Sequence, residues 1–228
     1  MSNTVIPKDL KCVIFDMDGV LYDSMKNHEA TWVGCFKAEG IDFPAYDAYM
    51  YEGRPGHETI GCVFKEHLNR EATQEDKERV YNEKVRLMGM ASEAEMMPMM
   101  KELIDLFKQQ GKEVWVVTGS KQPTLLDRLN GDFGIDLNQI ISAKDVVKGK
   151  PDPEPYLKAV AGCGFDAKQC LVVENAPLGV RSAKAAGITT IAVNTGILED
   201  EILAKEGADI VLPDTKSLYP YVEGYFRS

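Results

Sequence analysis

The sequence lacks any long apolar segment. No stretch approaches the roughly 18 residues that a membrane-spanning helix needs, and residues 1–10 have no apolar segment typical of a signal peptide. We therefore expect a cytoplasmic protein that does not enter a membrane. Hydrophobic residues make up 44% and charged residues 27% of the 228 residues, a balance that predicts a chain folded around a buried core.

Cysteine is scarce and irregularly spaced. The five cysteines form an odd set without a C-x-x-C pair, which indicates neither a disulfide framework nor a zinc cluster. We expect reduced thiols, two or three of them buried. The cysteines are Cys12, Cys35, Cys62, Cys163 and Cys170.

Runs of lysine and arginine are also missing. The chain has 26 basic and 36 acidic residues, and its formal net charge is −10. A protein that grips a nucleic-acid backbone needs a concentrated basic surface, so this sequence excludes that class. The bulk charge does not exclude a small phosphorylated substrate that is enclosed and held by a metal ion, a buried lysine and backbone amides.

Short apolar runs alternate with segments of helical spacing. The segments Met99–Gln110, Pro155–Ala161 and Leu178–Ala186 have helical spacing, and a glycine follows each of them. This alternation predicts an α/β fold, a Rossmann-like doubly wound parallel sheet with helices on both faces. The predicted strands are Cys12–Phe15, Val114–Val117, Cys170–Val173, Thr190–Val193 and Asp209–Leu212.

About a hundred residues separate the first two predicted strands, too many for one crossover. Residues 23–97 have almost entirely helical periodicity and hold 15 acids and 9 bases. We therefore predict an inserted all-α helical domain at 23–97 and an α/β core formed by 1–22 and 98–228. The predicted hinges are Val20–Ser24 and Glu95–Met99.

Polar residues follow four of the predicted strands or their loops. Ligands bind beyond the carboxyl ends of parallel strands, so these side chains are expected to meet. Close carboxylates repel one another unless a cation lies among them, and Mg²⁺ prefers oxygen ligands. The residues are Asp16, Asp18, Thr118 with Gly119 and Ser120, Lys150, Glu174 and Asn175.

In these motifs the chain resembles the haloacid dehalogenase superfamily, and the insertion resembles the small cap of its β-phosphoglucomutase-like group. The resemblance implies phosphoryl transfer with Asp16 as nucleophile and Asp18 as general acid and base. Thr118 and the neighbouring amides of Gly119 and Ser120 would hold the phosphoryl oxygens, and Lys150 would neutralise charge. Mg²⁺ would be held by Asp16, the backbone carbonyl of Asp18 and Glu174, with Asn175 nearby. In this family an aspartate often stands at the position of Asn175. The neutral asparagine here makes the set of metal ligands less anionic and leaves room for another acid.

Several residues of the insertion bear on which substrate the protein binds. The resemblance places His28 near Asp18 and Lys84 at a cap lysine that contacts the substrate in the mutases. Glu52 stands where the mutases have a lysine, and Gly56 stands where they have an arginine for the distal phosphate, with Arg54 close by. We predict that Glu52 supplements the Mg²⁺ ligands, as in a branch of the group that hydrolyses inorganic pyrophosphate.

Three functions follow as hypotheses. The first is a Mg²⁺-dependent phosphohydrolase that acts on inorganic pyrophosphate. The second is a β-phosphoglucomutase that interconverts β-glucose 1-phosphate and glucose 6-phosphate. The third is a non-catalytic binding or regulatory module, which the intact set of motif residues disfavours. We expect a monomer, because no extended apolar seam is visible in the sequence.

Overall fold

A six-stranded parallel sheet forms the centre of the computed structural model, which describes residues 4–120 and 123–227. The strand order is β3-β2-β1-β4-β5-β6, and every neighbouring pair is parallel. This confirms the predicted doubly wound sheet; only the two-residue β3 was not predicted, because it is too short to show a pattern. The strands are β1 (Cys12–Phe15), β2 (Glu113–Val117), β3 (Ile140–Ile141), β4 (Cys170–Glu174), β5 (Thr189–Val193) and β6 (Ile210–Leu212).

Helices cover both faces of this sheet. Val13 and Phe15 of β1 pack into one apolar cluster, and Cys12 and Ile14 pack into another on the opposite face. This two-sided burial is why the strands are continuous apolar runs. The helices are α1 (Met25–Ala38), α2 (Ala45–Met50), α3 (Gly56–Leu68), α4 (Gln74–Met88), α5 (Met100–Gln109), α6 (Pro123–Phe133), α7 (Glu154–Cys163), α8 (Pro177–Ala185), α9 (Asp200–Lys205) and α10 (Thr215–Arg227). In the described part of the chain, no helix has the length and apolar character needed to cross a membrane.

Helix α7 extends further than the sequence indicated. The helix was predicted to close at Gly162, but it continues to Cys163 and ends at Gly164, whose φ is +73°. A Cβ atom on Gly162 would overlap the ring of Trp115. Gly162 therefore allows close packing inside the helix, and Gly164 supplies the left-handed conformation that ends it.

Helices α1–α4 form an all-helical layer with its own apolar cluster. Trp32, Phe36 and Phe64 are buried in this cluster, and Leu198 from the loop before α9 joins it. The two connections to the rest of the chain lie side by side, because the N–H of Asp23 donates to the carbonyl of Glu95. Two neighbouring connecting segments thus join the helical insertion to the rest of the chain, and they coincide with the segments predicted as hinges.

Three of the five cysteines lie together, which their spacing did not suggest. The sulfur atoms of Cys12, Cys163 and Cys170 lie within 4.8 Å of one another at the amino-terminal end of the sheet, opposite the polar strand ends. All five thiols are free, and four are buried, one more than expected. A hydrogen bond with Cys170 and burial raise the pKa of Cys12 well above its usual value, and burial also raises the pKa of Cys163. These thiols pack as small apolar side chains.

Candidate active site

The site begins where β1 ends. Asp16 directly follows this central strand, and its N–H donates to the carbonyl of Val173 on β4 at 2.9 Å. Asp16 and Asp18 are each only 6% exposed. Because β1 lies between β2 and β4, the loops after these three strands meet at one edge of the sheet, as the sequence predicted.

Lys150 is the central cation of the site. Its side chain is 2% exposed, and its Nζ lies 2.5 Å from Asp16 Oδ1 and 2.7 Å from Glu174 Oε1. Nζ also donates to the carbonyl of Val117 at 3.3 Å. Burial disfavours the charge, but the two carboxylates outweigh it and hold the pKa of Lys150 well above its usual value. The ammonium therefore stays charged beside Asp16.

Glu174 is held by four donors. Its Oε1 accepts hydrogen bonds from Lys150 and from the Tyr156 hydroxyl at 2.9 Å, and its Oε2 accepts from the N–H groups of Asn175 at 2.8 Å and Ala176 at 2.9 Å. A Cβ atom on Gly179 would overlap Oε1, so glycine is required there. These contacts favour a role for Glu174 in positioning Lys150 over the direct metal coordination that we predicted.

The other oxygen atoms of the site are suitable ligands for a hard cation. Asp16 is buried, and the charges of Glu174 and Asp18 act on it against the attraction of Lys150. The amide oxygen Oδ1 of Asn175 is buried and has no hydrogen-bond partner among the described residues. An unpaired buried oxygen beside crowded carboxylates is the environment that a bound Mg²⁺ would complete, so these residues fit the ion.

His28 links Asp18 to Glu52. Asp18 Oδ1 accepts from the Ser24 hydroxyl at 2.6 Å and lies 3.3 Å from His28 Nε2, whereas His28 Nδ1 lies 3.5 Å from Glu52 Oε2. Burial works against ionisation of Asp18, but His28 and Ser24 outweigh it and lower the pKa of Asp18 to about 2. Burial likewise opposes the charge on His28, yet the two carboxylates raise its pKa. Ser24 is a site residue that the sequence reasoning missed, and only its place in the predicted hinge pointed to it.

A cleft of about 260 Å³ lies between the helical layer and the sheet edge. Lys84 lies in it with its Nζ 4.8 Å from the centre of the Trp32 ring, and burial lowers the pKa of Lys84. Arg54 stacks over Tyr51 at 5.0 Å and turns one terminal nitrogen to the sulfur of Cys62. All the predicted residues of the insertion line this cleft beside Asp18, Gly119 and Ser120; they are His28, Glu52, Arg54 and Lys84.

The loop that carries Glu52 lies directly on the core. A Cβ atom on Gly119 would lie 3.4 Å from the carbonyl oxygen of Gly53, and one on Gly53, whose φ is +86°, would lie 3.1 Å from the Lys150 side chain. Thr118 is buried, and its hydroxyl accepts from the N–H of Ser120 at 3.0 Å. The structure thus brings the predicted residues of β2 and of the insertion together above Lys150.

Comparison with known proteins identifies the family. The model of the haloacid dehalogenase-like hydrolases matches residues 10–187. The chain belongs to this family. The structure of the "Putative beta-phosphoglucomutase from Bacteroides vulgatus" is similar with a TM-score of 0.91 and 43% identity, over 96% of this chain and 90% of that one.

Curated relatives have different substrates. The beta-phosphoglucomutase of Bacillus subtilis is 27% identical over 89% of this chain and 92% of its own length. The "Putative pyrophosphatase PpaX" of Caldanaerobacter subterraneus subsp. tengcongensis is also 27% identical, over 94% of this chain and 96% of its own length. The chain is therefore a member of the phosphatase and phosphotransferase group, and these two relatives do not distinguish between the substrates.

Proposed function

We propose that this hydrolase is a Mg²⁺-dependent phosphohydrolase that acts on inorganic pyrophosphate through an aspartyl phosphate on Asp16. Residues 1–22 and 98–228 would form the catalytic core, and residues 23–97 would form a cap that closes over the substrate. The protein would work as a cytoplasmic monomer. The observation that carries the substrate assignment is the set of ionisable cap groups closest to Asp18, namely His28, Glu52 and Lys84.

The metal would be held by oxygen atoms. Asp16, the backbone carbonyl of Asp18 and Oδ1 of Asn175 are the candidate direct ligands, and Glu174 would act through Lys150 as its four hydrogen bonds indicate. Bound Mg²⁺ would offset phosphate charge and the repulsion among the site carboxylates. Glu52 remains our proposed additional ligand, supplied by the cap together with the substrate.

The side chains support two successive displacements. An oxygen of Asp16 would attack one phosphorus of pyrophosphate, the bridging P–O bond would break, and Asp18 would pass the proton that it shares with His28 to the leaving phosphate. Asp18, ionised beside His28, would then take a proton from water as the water oxygen attacks the aspartyl phosphate. Asp16 is thereby released with a second phosphate. Lys150 and the amides after Thr118 would stabilise the transferring group throughout.

The charge of the cap surface favours a small, highly charged substrate. Pyrophosphate carries a dense negative charge, so a cleft that is lined by both Lys84 and Arg54 matches it. Glu52 would repel a bare phosphate, but it matches a pyrophosphate that arrives with Mg²⁺. A sugar hydroxyl, by contrast, needs no such pairing of opposite charges.

Steady-state phosphate release tests this proposal. We expect kcat/KM for pyrophosphate to exceed the values for a panel of sugar phosphates, and chelation of Mg²⁺ to abolish the activity. Glu52→Gln should lower kcat/KM for pyrophosphate by about 10- to 100-fold, because it removes one anionic ligand. The control is Glu58→Gln, an exposed cap acid that should have no effect. A poor rate on pyrophosphate, or an unchanged rate in Glu52→Gln, would remove the proposed role of Glu52.

The second candidate is a β-phosphoglucomutase. The cleft of about 260 Å³ also has Trp32, Tyr51 and Tyr81 in its wall, and aromatic rings favour the faces of a sugar. This reading predicts conversion of β-glucose 1-phosphate to glucose 6-phosphate with a hexose bisphosphate activator. Absence of that conversion, with activator supplied, excludes it.

A further inference from the structure

Thr195 joins two loops of the site and was not predicted from the sequence. It lies two residues after the end of β5, on the side of β4. Its hydroxyl donates to the carbonyl of Gly19 at 2.6 Å and accepts from Nδ2 of Asn175 at 3.3 Å. Thr195 therefore contacts both the loop that carries Asp18 and the loop that carries Asn175.

The hydrogen-bond chemistry of this contact orients the Asn175 amide. A threonine hydroxyl has one proton, and the Gly19 carbonyl can only accept, so that proton is committed to Gly19. Toward Asn175 the hydroxyl presents only a lone pair. The amide must turn its NH₂ to Thr195, which leaves Oδ1 on the other side, buried and without a protein partner among the described residues. In a flipped amide, Oδ1 of Asn175 would face the hydroxyl oxygen of Thr195 with no proton between the two atoms.

The same contact accounts for asparagine at this position. An aspartate would bring a carboxylate, which can only accept, against a hydroxyl whose proton already serves Gly19. Gly19 completes the arrangement, because its φ is +80° and a Cβ atom there would overlap Nδ2 of Asn175. Gly19, Asn175 and Thr195 are therefore complementary in shape and in hydrogen bonding.

We propose that Thr195 is a positioning residue that holds Oδ1 of Asn175 and the Asp18–Gly19 backbone in place for the divalent cation. This inference rests on the proposed Mg²⁺ site, and it assigns to Thr195 the part of an outer partner that orients a metal ligand. Thr195 itself would not touch the substrate. Its removal should therefore weaken cation binding even when no substrate is present.

Metal binding to the free enzyme tests the role. Mn²⁺ is the probe, because it binds to the same oxygen ligands as Mg²⁺. The electron paramagnetic resonance signal of free Mn²⁺ gives the dissociation constant. Mg²⁺ should compete with Mn²⁺ for the site. Thr195→Val should raise the dissociation constant by about 10- to 100-fold, since it removes the group that orients Asn175. Thr195→Ser keeps the hydroxyl and should bind within about threefold of the unaltered protein on the same argument.

Thr190→Val is the matched control. Thr190 is a buried threonine on β5 whose hydroxyl donates to the carbonyl of Ile188, at the far end of the strand, so its loss should leave Mn²⁺ binding unchanged. If Thr195→Val does not fold, Thr195→Ala replaces it. Suppose that the unaltered protein binds Mn²⁺. If the valine variant then binds equally well, or the serine variant does not restore binding, the role of Thr195 alone is overturned. Unaltered protein that does not bind Mn²⁺ or Mg²⁺ would overturn the proposed metal site and this inference with it.

Discussion

Asp16→Asn is expected to lower kcat by roughly a thousandfold or more, the scale on which loss of a catalytic nucleophile acts. An amide cannot attack phosphorus as a carboxylate does, so no aspartyl phosphate can form. Stability should be kept or increased in the absence of Mg²⁺. Asp16 is buried among Glu174 and Asp18 with one lysine, and neutralising it relieves the excess of negative charge while the Lys150–Glu174 pair remains.

The comparison of activity with stability makes this variant informative. Phosphate release measures the first quantity, and urea unfolding measures the second. Asp42→Asn, at an exposed position of the helical layer, should change neither. An Asp16→Asn protein that is folded and turns over at a rate near that of the unaltered chain would refute covalent catalysis by Asp16.

Lys150→Met should have the largest effect on stability. Without the ammonium, the buried carboxylates of Asp16 and Glu174 lose their shared cation, and breaking a buried ion pair in this way costs about 3–5 kcal/mol of unfolding free energy. Activity should also be lost, because no side chain replaces the charge beside the transferring phosphoryl group. The unfolding experiment is done without Mg²⁺, which could otherwise substitute for the missing charge.

Two further variants separate charge from packing at Lys150. Lys101→Met removes an exposed lysine that is paired with Asp105 at 3.6 Å, and it should cost no more than about 1 kcal/mol. Adding Glu174→Gln to Lys150→Met should recover part of the loss, because it removes one of the stranded charges. If Lys150→Met is as stable as Lys101→Met, the ammonium does not hold the carboxylates together.

Much of the fold could be predicted because the hydrophobic pattern of the sequence matches the burial of its strands. Strands buried on both faces are continuous apolar runs, and the predicted runs are five of the six strands. The convergence of Asp16, Thr118 and Glu174 also followed, since parallel strands end at the same edge of the sheet. Gly162 shows where local signals fail. A glycine near the end of a helical pattern indicates a stop, but here the tertiary contact with Trp115 explains it.

Hydrogen-bond roles within the site could not be predicted. Motif positions indicated that Glu174 and Asn175 lie near Asp16. They did not indicate that Glu174 accepts four hydrogen bonds or that Oδ1 of Asn175 has no hydrogen-bond partner in the described part of the chain. Ser24 and Thr195 were missed for the same reason. A single hydroxyl in a loop has no sequence pattern, and its importance comes from contacts between segments far apart in the chain.

Trapping of the phosphoenzyme tests the central claim most directly. Enzyme mixed with Mg²⁺ and pyrophosphate is quenched within a turnover, reduced with borohydride and digested, so that an aspartyl phosphate is read by mass spectrometry as homoserine. We predict homoserine at position 16, formed at least as fast as phosphate is released in the steady state and absent in Asp16→Asn. Turnover of pyrophosphate without modification at Asp16, or modification by sugar phosphates alone, would contradict the account.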